Sequence, residues 1–462
     1  MPNNGTEVYE MLLKFNCNNF KSFKDGFEFN MIPEKRMTEL DYSILKEEVA
    51  GKQETGLSAS VVYGPNAAGK TSIVNAMSYL RQIILRANVR DALDDYSGDH
   101  VSNSLSLAPF AFCNEAIPVS FDVTFTSKGM KFRYVLAIYL GSFLEKDPER
   151  YIDQEQLYVN DYLVFDRTKD SVNALKLERI IDYLNAGYSL TDQEKTRKAM
   201  SSNISADSLL LTTDFNSFCS KKLVNQIKSW FEDQFIIVNS SDKTRFYPGM
   251  PENNKAVINV YINEIAQEAG ITGSDFAYVN DPETHTTKLI SVLRKTSQKI
   301  YGLDAERIES AGTIRLVSIM PVIISALQKG AVLVMDELDS SLHPMIVMNL
   351  ITIFHNDAVN KYHSQIIFNT HNPIYLNHNL LRRDEIKFVE RDKETKSSEL
   401  YALSDFKANG EASVRKTSDY MKNYFVNRYG AIEDIDFTDI ILDILKGDND
   451  EQEGIEENQH FS

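Results

Sequence analysis

A glycine-rich segment in the first fifth of the chain has the residue types and spacing that bind phosphate. Residues 64–71 read Gly-Pro-Asn-Ala-Ala-Gly-Lys-Thr, the pattern G-x-x-x-x-G-K-[ST]. The backbone N–H groups of this loop would surround a β-phosphate, Lys70 would reach the β- and γ-phosphates, and Thr71 would bind Mg²⁺. A short buried strand at 61–63 and a helical pattern at 72–90 flank the loop, as this chemistry requires. An ordinary surface turn is the alternative. The predicted phosphate ligands are Gly64, Pro65, Asn66, Ala67, Ala68, Gly69, Lys70, Thr71 and Ser72.

A second candidate region is an apolar run that ends in two carboxylates. Residues 332–335 read Val-Leu-Val-Met and are followed by Asp336 and Glu337. If the run is a strand of a doubly wound sheet, its carboxyl end faces the ligand crevice. Asp336 would then hold Mg²⁺, directly or through water, and Glu337 would deprotonate the attacking water as general base. The alternative, that both carboxylates only cap the next helix, fits poorly with a phosphate loop upstream.

Two weaker patterns complete the set. Ser310-Ala311-Gly312-Thr313 precedes an apolar helical stretch, so Ser310 and Gly312 are placed to bind an anion at a helix N-terminus. His371 follows an apolar run, 365–370, and a histidine at a strand's carboxyl end can contact the γ-phosphate or the attacking water. Taken singly, a capping serine and a core or surface histidine are the alternatives. The predicted catalytic residues are Lys70, Glu337 and His371, the predicted metal ligands are Thr71 and Asp336, and the predicted cofactors are ATP and Mg²⁺.

These residues require a sheet that brings distant segments together. Residues 11–34 predict a strand, a turn and a strand, and the alternating residues 119–139 predict a β-hairpin. Between 171 and 305 helical patterns dominate, with polar turns such as 280–283 between them and no sustained heptad. The sequence therefore predicts an α/β P-loop NTPase fold, with a mixed sheet, flanking helices and a mainly helical insertion. The predicted segments are the first part of the nucleotide-binding domain at 1–170, the insertion at 171–305, the second part of that domain at 306–400, a helical region at 401–446 and an acidic disordered tail at 447–462.

Composition narrows the class of protein and its surroundings. The chain has 462 residues, 43% of them hydrophobic, which suits a soluble globular protein. Its net charge of −17 gives no support for a nucleic-acid partner, which would need a local basic groove. Three scattered cysteines make neither a disulfide framework nor a metal cluster. The apolar stretch 316–327 contains Pro321 and is too short to span a bilayer. We expect a cytoplasmic protein without a membrane partner.

Together the motifs resemble those of the ABC-type ATPase heads of the SMC and RecF group. In that group, 310–313 matches the signature motif, 338–343 the D-loop and His371 the switch histidine. The chain is more closely similar to the single-chain bacterial ATPases of the AAA-fifteen class, which are related to the OLD proteins and found in phage-defence operons. The segments that carry this similarity are 19–23, 64–71, 336–344, 370–373 and 382–386, with weaker matches at 405–407 and 428–432.

The resemblance implies how the sites work. Two heads would meet head to tail, with each ATP between the Lys70 loop of one chain and the Ser310 helix of the other. Hydrolysis of ATP to ADP and phosphate would act as a conformational switch, controlling an effector such as a toxic nuclease encoded nearby. A RecF-like or SMC-like ATPase of DNA repair or maintenance is the main alternative, and a compact ABC transporter engine is a more remote one.

The sequence also departs from the pattern of that group. His343 stands where many heads have an aspartate, and Thr313 replaces the usual glutamine. The glutamine of the switch loop has no clear position. Gln154 and Gln156, which follow the predicted hairpin, are the candidates.

Overall fold

The computed structural model describes residues 9–446 apart from 36, 38, 91–106, 114, 144, 146–148, 240–256, 281–286, 297–298, 407–417 and 434. The predicted acidic tail, 447–462, lies outside the described residues. By packing, the chain divides into a body that ends at Ala431 and a C-terminal segment from Ile432 onward, whose described helix is α9 below.

The strands, in chain order, are β1 (Leu12–Asn18), β2 (Phe27–Asn30), β3 (Ile44–Val49), β4 (Lys52–Leu57), β5 (Ala59–Tyr63), β6 (Val119–Ser127), β7 (Met130–Tyr139), β8 (Tyr151–Val159), β9 (Tyr162–Thr168), β10 (Val172–Leu175), β11 (Phe235–Val238), β12 (Val257–Ile258), β13 (Asp275–Asn280), β14 (Thr287–Thr296), β15 (Lys299–Asp304), β16 (Val332–Met335), β17 (Gln365–Asn369), β18 (Ile386–Arg391) and β19 (Ser398–Ala402). The α-helices are α1 (Lys70–Arg86), α2 (Gln193–Asn203), α3 (Lys221–Ser229), α4 (Val260–Glu268), α5 (Ala305–Ile308), α6 (Ala311–Lys329), α7 (Pro344–His355), α8 (Tyr420–Phe425) and α9 (Thr438–Lys446).

A six-stranded sheet in the order β11-β16-β17-β5-β18-β19 brings the distant motifs together. All of its pairs are parallel except β18 with β19. Every residue of β5, β16 and β17 is buried, as expected for parallel strands covered on both faces. The phosphate loop follows β5, the two carboxylates follow β16, and His371 closely follows β17. Their carboxyl ends therefore meet at one edge of the sheet.

A second, seven-stranded antiparallel sheet in the order β10-β9-β8-β7-β6-β1-β2 packs with α1 around a shared hydrophobic core. The predicted hairpin at 119–139 is confirmed as β6 and β7. Its two-residue turn has positive φ at Lys128 (46°) and Gly129 (76°), which suits the twist of paired strands. The predicted strand–turn–strand at 11–34 is confirmed as the antiparallel pair of β1 and β2.

The predicted helical character of residues 171–305 is wrong for the second part of that segment. Its first part contains α2, α3 and two π-helical turns, Phe215–Cys219 and Trp230–Gln234, but β11 then joins the central sheet beside β16. Strands β12–β15 form a separate four-stranded antiparallel sheet, with α4 after β12. Of the predicted polar turn 280–283, only Asn280 lies within the described residues, as the last residue of β13, and the next described element is the strand β14 rather than a helix. Turn residues end strands and helices alike.

Among the described residues, only α6 is long and apolar enough to cross a membrane by length and composition. Nine of its residues are buried in the body, Pro321 among them, so it is a core helix. Its N-terminus presents Ser310, and its C-terminal end leads through Gly330 into β16. This helix therefore connects the predicted signature residues to the strand that carries Asp336 and Glu337.

Candidate functional site

The loop between β5 and α1 wraps tightly against the rest of the body. Gly69 has φ of 115°, and a Cβ atom there would lie 2.6 Å from Ser22 Oγ and 2.9 Å from Ser398 Oγ. Ser398 Oγ also donates a hydrogen bond of 2.6 Å to the carbonyl of Ala68. Only glycine fits this position without displacing its neighbours. The close packing holds the loop in a shape that exposes Asn66 and Ala67 at its tip.

Lys70 lies beneath this loop with its ammonium group held by the loop itself. Its Nζ donates to the carbonyls of Gly64, at 2.8 Å, and Pro65, at 2.9 Å, and lies 3.5 Å from His371 Nδ1. Desolvation lowers the pKa of Lys70 to about 8, although the carboxylates of Glu337 and Asp336 act to raise it. Desolvation, followed by the charge of Lys70, likewise lowers the pKa of His371, so the imidazole is neutral at pH 7. Nζ is a cation that an incoming phosphate can engage.

The hydroxyl of Thr71 and the carboxylate of Asp336 form a pair of oxygen ligands. Thr71 Oγ1 donates to Asp336 Oδ1 at 3.1 Å. The described residues contain no group of three or more His, Cys, Asp or Glu side chains able to hold a metal ion. A hydroxyl beside one carboxylate, completed by phosphate oxygens and water, is the donor set that Mg²⁺ takes in nucleotide sites. The residues present therefore fit the predicted metal ion.

Glu337 follows Asp336 in a backbone conformation that is unusual for a non-glycine residue. Its φ is 51°, in the left-handed region. Its N–H donates to Asn369 Oδ1 at 2.6 Å, and its carbonyl accepts a bond of 3.4 Å from Arg315 of α6. The side-chain nitrogen of Asn369, Nδ2, donates to Asp336 Oδ1. The carboxylate of Asp336 and the backbone of Glu337 are thus held from the neighbouring strand, and α6 also holds the Glu337 carbonyl.

A cavity of about 370 Å³ opens over these residues. Its lining includes eight predicted residues, which are Asn66, Ala67, Gly69, Lys70, Thr71, Ser72, Glu337 and His371. Gly64, Pro65 and Ala68 shape the loop from behind, and Asp336 lies beside Thr71. The sequence patterns did not assign the other lining residues to the site, which are Lys21, Ser22, Ala111, Phe112, Asn369 and Arg391. Lys21 and Ser22 belong to the segment 19–23 that carried the family resemblance, whereas Phe112, Asn369 and Arg391 had no motif to mark them.

Ser310 and Gly312 do not line the cavity of their own chain. Ser310 is solvent-exposed and caps α6, its Oγ accepting a bond of 3.1 Å from the N–H of Thr313. A Cβ atom on Gly312 would lie 2.5 Å from the carbonyl oxygen of Ser341, so the start of α6 packs on the loop after Glu337. The capping alternative for Ser310 is therefore realised in the single chain, and its exposed position leaves it accessible to a second molecule.

The loop after Glu337 is also tied to the strand end that carries His371. Thr370 Oγ1 donates to Asp339 Oδ2 at 2.7 Å. His343, the departure noted in the sequence, caps α7 by accepting a bond of 3.2 Å from the N–H of Met345. Gln154 and Gln156 both donate to Asp166 in the seven-stranded sheet and do not line the cavity. The structure therefore gives no support to either glutamine as the switch-loop residue.

The fold and this cavity define a P-loop NTPase. Residues 59–209 and 226–377 match the family described as "AAA domain, putative AbiEii toxin, Type IV TA system". Because the matched residues make up more than half of the chain, the protein belongs to this family. The predicted α/β P-loop NTPase fold, with a mixed sheet and flanking helices, is thereby confirmed. No curated protein matches the chain.

Solved structures similar to this one include three SMC head domains. The head bound to the C-winged helix domain of ScpA is 12% identical, with a TM-score of 0.36, and the match covers 85% of this chain and 97% of that one. The head from Thermotoga maritima is 15% identical, with a TM-score of 0.35 and coverage of 85% and 98%. The Pyrococcus furiosus head, with an extended coiled coil and bound to the C-terminal domain of ScpA, is 12% identical, with a TM-score of 0.34 and coverage of 85% and 96%.

Proposed function

We propose that the protein hydrolyses ATP to ADP and phosphate and uses the reaction as a conformational switch. The observation that carries the proposal is the convergence of Lys70, Thr71, Glu337 and His371 on one cavity, with Asp336 bonded to Thr71. A cation, a pair of Mg²⁺-type oxygen ligands and a carboxylate base are the groups that phosphoryl transfer to water requires. Membership of an AAA-domain family supports the same reaction.

Each residue has a distinct task in this reaction. Lys70 exchanges its bonds to the loop carbonyls for bonds to the β- and γ-phosphates, which neutralises their charge. Thr71 and Asp336 hold Mg²⁺, which supplies positive charge to the phosphate oxygens when it is bound. Glu337 accepts a proton from the attacking water, a role worth roughly 10²–10⁴-fold in rate. His371, neutral beside Lys70, is placed to bond the γ-phosphate or the water.

The active unit that we propose is a head-to-tail homodimer or a larger assembly built from it. The exposed position of Ser310, outside the cavity of its own chain, supports a role toward the ATP of a partner molecule. Gly312 would bring its backbone N–H group to the same phosphates. The packing of Gly312 on Ser341 gives a route by which the partner's nucleotide would affect the loop beside Glu337.

Mixing two inactive variants tests the shared site. Lys70→Ala and Ser310→Arg should each be inactive alone. In mixed dimers one composite site carries both lesions and the other carries neither, so we expect about half of the wild-type rate per mixed dimer to return. The comparison is with either variant mixed with itself. A strictly monomeric protein in ATP and Mg²⁺, by light scattering, with a rate per molecule independent of concentration, would exclude the dimeric arrangement.

The biological role that we propose is control of an effector protein in an anti-phage defence system. The toxin–antitoxin wording of the family description supports this class of role. The effector would be a nuclease or another toxin encoded nearby, and both proteins would act in the cytoplasm. A partner that copurifies with the protein and is released when ATP and Mg²⁺ are added is the expected result. A hydrolysis rate that rises severalfold on addition of DNA, without such a partner, would favour the DNA-maintenance alternative instead.

A further inference from the structure

Asn369 is the last residue of β17. Its side chain hydrogen-bonds to two consecutive residues that follow the neighbouring strand, β16. Its Oδ1 accepts the N–H of Glu337 at 2.6 Å, and its Nδ2 donates to Asp336 Oδ1. The side chain is 1% exposed and nevertheless lines the cavity. Strand β17 pairs with β16 so that Met335 lies opposite Phe368, which places Asn369 beside Asp336. This register gives the amide access to both carboxylate residues.

The two bonds act on different parts of the site. The bond to the Glu337 N–H holds this residue in the left-handed region, which is unfavourable for a residue with a Cβ atom. The bond to Asp336 Oδ1 orients the carboxylate that also accepts the hydroxyl of Thr71. A side-chain amide carries its donor and its acceptor on two separate atoms, so Asn369 can bond both partners at once. An aspartate would place a second carboxylate against Asp336, and a serine cannot span both partners.

We propose that Asn369 is a positioning residue that fixes the metal ligand Asp336 and the base Glu337 relative to each other. The inference rests on the proposed ATPase function, since it assigns a role within that same site. Residues that hold the ligands of a metal ion change metal affinity or activity by about 10–100-fold when they are removed. Loss of Asn369 should therefore weaken the metal-dependent part of nucleotide binding and slow hydrolysis, while the phosphate loop still binds nucleotide.

Asn360 provides a matched control for this proposal. It is another asparagine at 1% exposure, and it makes three hydrogen bonds, to the carbonyls of Phe354 and Ser364 and from the N–H of Ser364. It does not line the cavity. Asn360→Ala therefore removes an equally buried, hydrogen-bonded amide without touching the site, which separates lost stability from lost positioning.

The test compares ATP binding by calorimetry in EDTA and in Mg²⁺, together with the hydrolysis rate. In Asn369→Ala we expect affinity in EDTA within about twofold of wild type, an affinity gain on adding Mg²⁺ about 10–100-fold smaller, and kcat reduced by about 10–100-fold. Asn369→Ser can keep one of the two bonds and is therefore a smaller perturbation than Asn369→Ala. Its Mg²⁺-dependent gain in affinity and its kcat should lie between those of wild type and Asn369→Ala. Asn360→Ala should keep the wild-type Mg²⁺ gain and kcat despite a lower melting temperature.

Two results would overturn the inference. One is a wild-type Mg²⁺ gain and kcat in Asn369→Ala. The other is a loss in Asn360→Ala equal to that in Asn369→Ala, which would assign the effect to stability. Failure of the proposed function gives a different result, because wild type itself would then show neither a Mg²⁺-dependent gain in affinity nor hydrolysis.

Discussion

The variant Lys70→Met measures how much the buried charge of Lys70 destabilises the folded protein when no nucleotide or metal is bound. The Lys70 side chain is 6% exposed, and desolvation lowers its pKa from 10.5 to about 8. Each pKa unit corresponds to about 1.4 kcal/mol, so a shift from 10.5 to about 8 means that burying this charge costs at most about 3.5 kcal/mol. Water at the cavity mouth screens part of that, which leaves about 1–2 kcal/mol. Methionine keeps the apolar stem without the charge, so the variant should be more stable than wild type by that amount at pH 7.

The pH dependence of this gain has a definite sign. Below pH 8 Lys70 is protonated in both the folded and the unfolded protein, so the whole cost is present. Between pH 8 and about 10.5 the folded protein has released this proton and the unfolded protein still holds it, so the stability of the wild type rises with pH. The advantage of the methionine variant should therefore shrink across that range.

Urea unfolding, followed by the fluorescence of the single tryptophan, Trp230, is a suitable assay because this residue is fully buried. At ATP–Mg²⁺ concentrations of about 100 times Kd, wild type should gain about 2.7 kcal/mol of stability and Lys70→Met none. Lys387→Met is the matched control, because Lys387 is also buried with a pKa of about 8 but bonds Ser60 Oγ and the carbonyl of Asp384. Lys387→Met should keep the stability that wild type gains from ATP–Mg²⁺. Two results would refute the reasoning. One is a rise in the stability of Lys70→Met on adding ATP–Mg²⁺. The other is a nucleotide-free Lys70→Met variant that is less stable than wild type at pH 7.

Two further predictions concern residues around the site. Gly312→Ala would place a methyl group against the Ser341 carbonyl and push the start of α6 away from the loop after Glu337. We therefore expect hydrolysis at least about tenfold slower, and a wild-type rate in a steady-state assay would contradict this. Phe112 lines the cavity and is 62% exposed, so we expect it to stack on the nucleobase of bound ATP. Phe112→Ala should then weaken ATP binding by about 1–3 kcal/mol and leave tripolyphosphate binding unchanged in calorimetry, whereas an equal loss for both ligands would rule out stacking.

The parts of the fold that could be predicted from sequence are those in which local chemistry and element type agree. The loop at 64–71 needs a strand before it and a helix after it, and the structure has β5 and α1 there. The uncharged run 332–335 is short and contains two β-branched valines, and it forms the buried strand β16. Apolar side chains alternate along residues 119–139 on both sides of a turn at Lys128 and Gly129. This pattern predicts a hairpin, and the structure pairs β6 with β7 there.

The errors came from features that only tertiary pairing supplies. The described part of residues 257–304 is mostly strand, yet the residue types that end strands also end helices, so the local sequence did not distinguish the two. Asn369 follows an apolar run with no motif of its own, and its role depends on the register of β17 against β16. Phe112 and Arg391 reach the cavity from loops and strands far apart in sequence. The segment boundaries and the catalytic roles stay predictions.

Single-turnover hydrolysis by Glu337→Gln tests the central claim most directly. Glutamine keeps the size of the side chain and its hydrogen-bonding ability but cannot accept a proton from water. With radiolabelled ATP and excess enzyme in Mg²⁺, we predict that ATP binds at the wild-type level and is hydrolysed roughly 10²–10⁴-fold more slowly. Hydrolysis at the wild-type rate by this variant would contradict the account, because the group that activates the water would then lie elsewhere.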